Sequence, residues 1–131
     1  NIALSLHAAD DEKRNEIMPI NEQNNLESLM EALHYFYKQT KNRISYEYIA
    51  LKDTNLNNND AKNLVKWCKK FPVKVNIIEY NVVEGLPFDK AAMEQTDNFA
   101  MILRKHDVMV TVRRSRGKDI DAACGQLANK D

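Results

Sequence analysis

The sequence has few of the residues that interrupt or cross-link a chain. Its 131 residues include three glycines, three prolines and two cysteines. Two cysteines, Cys68 and Cys124, exclude a disulfide framework and a complete cysteine-only metal site. No apolar run approaches the roughly 20 residues that cross a bilayer. No apolar leader with a small-residue cleavage site is found either. We therefore expect a reduced, cytoplasmic protein that does not span a membrane.

An excess of charge of one sign is also missing. Lysine and arginine number 19 against 19 aspartates and glutamates, so no whole-chain field attracts nucleic acid or membrane. Apolar residues make up 44% of the chain, which is enough for one core. The chain opens without an initiator methionine directly into the apolar residues 2–6, which predicts a fragment of a longer fold.

Hydrophobic periodicity predicts four strands that alternate with three helices. The strands are residues 1–8, 43–51, 73–81 and 108–112, and the helices are residues 26–37, 61–71 and 99–106. Residues 10–25 are expected to form a loop or a short helix, residues 82–92 a loop, and residues 119–127 a short closing helix. Asn25 and Asp60 are the expected helix caps, and Pro72 ends the second helix.

This alternation predicts an α/β fold of parallel β/α units. Right-handed crossovers place the helices outside the sheet. Sheets of this kind bind ligands at the carboxyl ends of their strands, where the loops into the helices meet.

Polar side chains interrupt strands that would be apolar on both faces in a fully covered parallel sheet. They are Ser5 and His7 in the first strand, Glu47 in the second, Asn76 and Asn81 in and after the third, and Arg113 and Arg114 at the end of the fourth. Because buried polar groups need partners, their convergence at one sheet end indicates a pocket for a polar ligand. Structural interpretations stand beside this one: Glu47 pairs with an arginine inside a closed barrel, and the arginines form a solvated surface.

The two cysteines have different surroundings in the sequence. Cys68 falls on the apolar stripe of its helix, which is typical of a small buried hydrophobic residue. Gly125 follows Cys124 directly, and glycine is costly inside a helix, so the segment is expected to bend or move. A thiol there is either a mobile nucleophile, if its thiolate is activated, or an inert side chain.

Residues 111–117 (TVRRSRG) lead into residues 119–127 (DIDAACGQL), and SLHA at residues 5–8, MPIN at 18–21, YEY at 46–48 and VNII at 75–78 precede them in order. These motifs resemble the carboxyl-terminal third of the RlmN/Cfr family of radical S-adenosylmethionine (SAM) RNA methyltransferases, and the RlmN branch in particular. The resemblance implies that residues 1–131 form the carboxyl-terminal part of a partial TIM-type barrel.

The resemblance also implies the site residues. Ser5, Leu6, His7 and Asn81 would bind SAM, and Cys124 would be the catalytic cysteine that becomes S-methylated. No metal ligand is expected here, because the motif that holds the family's four-iron, four-sulfur cluster lies outside this chain. The isolated fragment is therefore expected to be inactive. Val82 and Glu79 stand where the family has proline, which changes the loop around Asn81.

The partners implied are 23S ribosomal RNA and transfer RNA, methylated on carbon 2 of adenosine, and a reducing electron donor for the cluster. Arg113, Arg114 and Arg116 are hypothesised to contact RNA phosphate or the SAM carboxylate. Half a barrel exposes sheet edges, so non-native association of the fragment is expected. Two alternatives stay open: a Cfr-type enzyme that methylates carbon 8, and a non-enzymatic α/β ligand-binding module in which Cys124 is inert.

Overall fold

The computed structural model describes residues 1–18 and 25–114 of the chain. Its strands are β1 (Ile2–Ser5), β2 (Ile44–Ala50), β3 (Lys74–Glu79) and β4 (Met109–Arg113), and its helices are α1 (Asp11–Ile17), α2 (Leu26–Thr40), α3 (Asn58–Cys68) and α4 (Met93–Lys105). The strands form one parallel sheet in the order β1-β2-β3-β4. The predicted α/β fold of parallel β/α units is confirmed.

One face of the sheet carries the main core. Tyr46 and Tyr48 of β2 and Val75 and Ile77 of β3 lie in it, all fully buried. Helices α2, α3 and α4 supply the residues that pack in the same core: Leu26, Met30, Leu33, Ala61, Leu64, Phe99, Ala100 and Leu103. Side chains alternate between the faces of a strand, so Glu47 and Asn76 lie on the opposite side, here called the second face.

A smaller apolar cluster lies on the second face towards the carboxyl ends of the strands. It contains Ala8, Ile17, Ile49, Leu51, Ile78 and Tyr80. The second face is therefore apolar near the carboxyl edge of the sheet and polar in the middle.

Helix starts follow the capping chemistry of the sequence. Asn25 caps α2 as predicted, since its side chain accepts from the Ser28 N–H. The predicted cap at Asp60 is wrong, because Asn57 caps α3. Asp60 is the third residue of that helix and forms a capping box with Asn57, in which each side chain accepts from the other residue's backbone N–H. Helix α4 begins at Met93, before the periodic residues that marked it.

Two other boundaries differ from the prediction. Strand β1 ends at Ser5 rather than at residue 8, because the N–H groups of Leu6 and His7 both donate to the Glu47 carbonyl and His7 adopts a left-handed φ of 59°. Residues 11–17 form the short helix α1. The predicted closing helix at residues 119–127 lies outside the described residues.

None of the helices within residues 1–18 and 25–114 combines the length and the apolar composition of a membrane-spanning segment.

Candidate functional site at the carboxyl edge of the sheet

Arg14 fixes the backbone where β1 ends. Its Nε donates to the Leu6 carbonyl at 3.0 Å and its Nη2 to the Ser5 carbonyl at 2.9 Å. The Arg14 side chain is buried, so two charge-assisted hydrogen bonds hold the backbone at the point where the chain leaves strand β1. Sequence reasoning missed Arg14, because nothing in a polar segment marks one arginine as buried.

His7 is locked into the neighbouring strand. Its Nδ1 accepts from the Ile49 N–H at 3.0 Å, which places the ring proton of the neutral form on Nε2. Burial, and to a lesser degree the charge of Arg14, lower the pKa of His7 to about 4. The ring is therefore neutral at physiological pH and acts as a hydrogen-bond acceptor that joins β1 to β2.

Asn55 also connects the end of β1 to β2, and the sequence analysis did not predict this role. Its Nδ2 donates to the carbonyls of His7 and Ile49, both at 2.8 Å, and its Oδ1 accepts from the Leu51 N–H at 3.0 Å. The Tyr48 hydroxyl donates to the Asn55 carbonyl. The amide is fully buried and uses three of its four hydrogen-bonding positions, so the carboxyl ends of β1 and β2 form one rigid unit.

The pKa of His7 predicts a pH dependence of stability. The folded pKa lies below the unfolded value of 6.5, so the unfolded state binds more protons between these values and stability falls as pH drops from 6.5 towards 4. The expected loss is about 3 kcal/mol of unfolding free energy. His7→Asn keeps an acceptor and tolerates the left-handed φ, and should remove this loss in urea unfolding at pH 7, 5.5 and 4.5.

His34→Asn is the matched control, because His34 is exposed on α2. This variant should keep the wild-type pH profile. An unchanged profile in His7→Asn would show that His7 is not the group responsible.

The predicted SAM-binding residues lie in different environments. The Leu6 side chain is completely buried in the main core, whereas Ser5 is exposed. Asn81 follows β3, and its Nδ2 atom is buried without a hydrogen-bond partner among residues 1–18 and 25–114. Leaving a buried donor unpaired costs about 1–3 kcal/mol, so an acceptor from a ligand or from another part of the protein is expected there.

Four polar residues form a row across the middle of the second face. The strand register pairs Ser5 with Glu47, Glu47 with Asn76, and Asn76 with Thr111. Glu47 Oε2 accepts from Asn76 Nδ2 at 2.8 Å. The sequence predicted that these side chains meet at one sheet end; for Glu47 and Asn76 this was wrong, since each lies three residues before the end of its strand. We call these four residues the polar row.

The arginines at and after the end of β4 lie on different sides of the sheet. Arg113 ends β4 on the second face, opposite Ile78, and is exposed. Arg114 Nη2 contacts Asp97 Oδ1 of α4 at 2.5 Å. Arg114 is thus held by α4, which packs on the face of the sheet that carries the main core. Of these two arginines, Arg113 is the one that lies on the second face. Arg116 and Cys124 lie outside the described residues.

Two pockets lie away from this edge. One, of about 610 Å³, lies at the amino ends of the strands and is lined in part by Arg43, Lys74 and Asn76. Another, of about 350 Å³, is lined by residues that include Asp10, Lys66 and Trp67. In the part of the chain that the structure describes, no three His, Cys, Asp or Glu side chains are grouped to hold a metal ion.

Cys68 is buried in the main core, as predicted. Burial raises the pKa of its thiol to about 12. The thiol therefore stays protonated at physiological pH and cannot act as a nucleophile.

No protein-family model matches the chain. Curated relatives match nearly all of it. A probable dual-specificity RNA methyltransferase RlmN from Christiangramia forsetii is 55% identical over 98% of this chain, and one from Salinibacter ruber is 50% identical over 99%. A dual-specificity RNA methyltransferase RlmN from Desulfotalea psychrophila is 40% identical over the whole chain. The chain spans 36 to 38% of the length of these three relatives and of five others that it matches.

Solved structures agree with these relatives. A radical SAM methyltransferase from Sphaerobacter thermophilus superimposes with a TM-score of 0.87 at 34% identity, covering 95% of this chain and 36% of that one. A domain of pyruvate-formate lyase-activating enzyme from Bacteroides vulgatus gives a TM-score of 0.66 at 10% identity, over 86% of this chain and 66% of that one. The second likeness concerns the fold alone.

Proposed function

We propose that this chain, which is a member of the RlmN family of radical SAM methyltransferases over the region it covers, is part of an RNA methyltransferase. In the complete protein, its four strands would form one side of a partial TIM-type barrel. The reaction would be methylation of carbon 2 of adenosine in 23S ribosomal RNA and transfer RNA, carried out in the cytoplasm.

The observation that carries the proposal is the unpaired donor of Asn81. Asn81 Nδ2 is buried and meets no acceptor among the described residues, at the sheet edge where α/β proteins bind ligands. Across the same edge, Arg14 and Asn55 hold the backbone of Ser5, Leu6 and His7 in one conformation. An orphaned donor beside a rigid turn fits a polar ligand such as SAM.

SAM would supply an activated methyl group to a thiolate and the precursor of a radical. The residues of this chain would bind and orient it: Asn81 through its Nδ2 donor, Ser5 through its exposed hydroxyl, and the turn at His7 through its shape. Because His7 is neutral at physiological pH, it would add no positive charge to a site for a sulfonium ligand. Arg113, which is exposed on the second face at the end of β4, would meet the SAM carboxylate or RNA phosphate.

The Cys124 thiolate would attack the methyl carbon of SAM, so that a C–S bond to the cysteine would form while the methyl–sulfonium bond would break and S-adenosylhomocysteine would leave. The four-iron, four-sulfur cluster, its electron donor and its cysteine ligands would belong to the part of the protein outside this chain. The isolated chain should therefore neither bind the cluster nor cleave SAM.

Mass spectrometry of RNA tests the proposed reaction. The complete protein, expressed in cells that lack their own enzyme of this type, should convert adenosine in 23S ribosomal RNA and transfer RNA to 2-methyladenosine. An 8-methyladenosine product would instead assign the Cfr-type reaction. RNA without either product would contradict the methyltransferase function.

A further inference from the structure

Within the described residues, the polar row contains a carboxylate that has hydrogen-bond donors but no cation, and an amide oxygen that has no partner. Glu47 is a half-buried carboxylate, and no cation of residues 1–18 or 25–114 forms an ion pair with it; the ion pairs found there are Lys13–Asp60, Lys90–Glu79 and Arg114–Asp97. Asn76 is 6% exposed, and its Oδ1 is buried without a partner. Both groups lie on the second face, on neighbouring strands and in register.

The orientation of the Asn76 amide follows from its neighbour. Nδ2 donates to Glu47 Oε2 at 2.8 Å, whereas a flipped amide would place its oxygen against the carboxylate. Glu47 therefore fixes Asn76 so that Oδ1 is presented as an acceptor. A carboxylate and an amide oxygen side by side, with strands about 4.8 Å apart, suit a group that carries several N–H donors and a positive charge.

The second face is also the side on which the missing part of the fold belongs. Helices α2, α3 and α4 pack on the opposite face, and more than half of each relative's length lies outside the matched region. In a closed parallel barrel the interior is filled by side chains from all strands. The polar row would then meet side chains from strands that this chain does not contain.

We propose that Glu47 and Asn76 together bind one cationic side chain, an arginine or a lysine, supplied by the part of the protein outside this chain. This inference rests on the proposed function only in requiring that the barrel be completed. The cation pairs with the Glu47 carboxylate and donates to Asn76 Oδ1. The resulting buried ion pair positions β2 and β3 against the other half of the barrel.

Two other cations are rivals for this site. SAM is one: Asn81 lies five residues beyond Asn76, about 16 Å along an extended strand. However, Ser5, which is also proposed to contact SAM, is in register with Glu47. The SAM affinity of Glu47→Gln therefore decides between SAM and a protein side chain. Lys74 shares the second face and precedes Asn76 by two residues, yet its Nζ forms no ion pair with Glu47 within the described part of the chain.

Thermal unfolding of the complete protein without SAM tests the proposal. Glu47→Gln keeps the side-chain shape but leaves the cation buried without its counter-charge, so the midpoint should fall by roughly 5 °C or more. Thr111→Val, in the same row, is the matched control and should shift it by about 2 °C or less. SAM affinity of Glu47→Gln should stay within about twofold of wild type.

Three results would overturn the proposal. The first is an unchanged or raised midpoint in Glu47→Gln. The second is a loss of SAM affinity of about tenfold or more in Glu47→Gln, at any midpoint, which would assign the cation to SAM. The third is an equal fall in Lys74→Met, which would place the cation within this chain. Because unfolding is the readout, these results are independent of whether RNA is methylated.

A structure of the complete wild-type protein decides the same question if Glu47→Gln fails to fold. An arginine or lysine nitrogen from outside this chain should lie within 4 Å of a Glu47 carboxylate oxygen and within hydrogen-bond distance of Asn76 Oδ1. Water or an apolar side chain in that place would refute the inference.

Discussion

The complete protein carrying Cys124→Ala is expected to lose RNA methylation by a factor of about 10⁴ or more. If Cys124 is the methyl acceptor, alanine removes the nucleophile itself, and losses of this size are typical when a covalent catalytic group is deleted. Mass spectrometry of RNA from cells that express the variant would measure the loss. Intact-protein mass spectrometry should show a methyl group on the wild-type protein and none on the variant.

Cys68→Ala is the matched control for this prediction. The Cys68 thiol lies in the main core, and burial raises its pKa to about 12, so it supplies no thiolate. Its removal leaves a small cavity that should cost about 1 kcal/mol of unfolding free energy. RNA methylation should stay at the wild-type level.

Wild-type methylation by Cys124→Ala would contradict the role of this residue. Absence of methylation in the wild-type protein as well, with SAM still bound, would favour the alternative of a non-enzymatic ligand-binding module. The two outcomes separate an error in the assigned residue from an error in the assigned class of protein.

The fold was predictable because its signals are local and repeated. Alternating apolar segments predicted the four strands, and the spacing of Leu26, Met30 and Leu33 predicted α2; all are found with small shifts of their ends. Caps were less certain. Asn57 and Asp60 are both good capping residues, and the choice between them depends on the geometry of the capping box, which the order of residues does not reveal.

The candidate site was predictable only in part. Ser5, His7 and Asn81 could be singled out because polar residues at strand ends are unusual in an apolar sheet, and their role in binding SAM stays a prediction. Arg14 and Asn55 were missed because their roles come from contacts across eight and 48 positions of sequence. Asn76 was predicted as a polar interruption, but its unmatched Oδ1 depends on which way Glu47 turns the amide, and only the packed sheet determines that.

Replacing Arg14 with methionine should destabilise the protein and weaken SAM binding together. Methionine retains much of the buried volume but donates no hydrogen bond, so the Ser5 and Leu6 carbonyls lose their charged donors. Two charge-assisted bonds at this buried position should contribute about 3–5 kcal/mol to the unfolding free energy. SAM affinity should fall roughly 10- to 100-fold, because the turn that would contact it loses its fixed conformation.

Arg104→Met is the matched control. Arg104 also donates to a strand carbonyl, that of Val110 at 3.0 Å, but it is exposed on α4 and water can replace it. Its loss should cost about 1 kcal/mol or less and leave SAM affinity unchanged. Urea unfolding and SAM titration of both variants would give the two quantities.

The effect on His7 separates a specific role of Arg14 from general destabilisation. Arg14 is the second cause, after burial, of the low pKa of His7, so Arg14→Met should raise that pKa while the ring stays buried. The decline in stability with falling pH should then level off at a higher pH than in the wild-type protein. An unchanged His7 titration would contradict the contribution of the Arg14 charge to the pKa of His7, and an unchanged SAM affinity would contradict the role of Arg14 in fixing the turn.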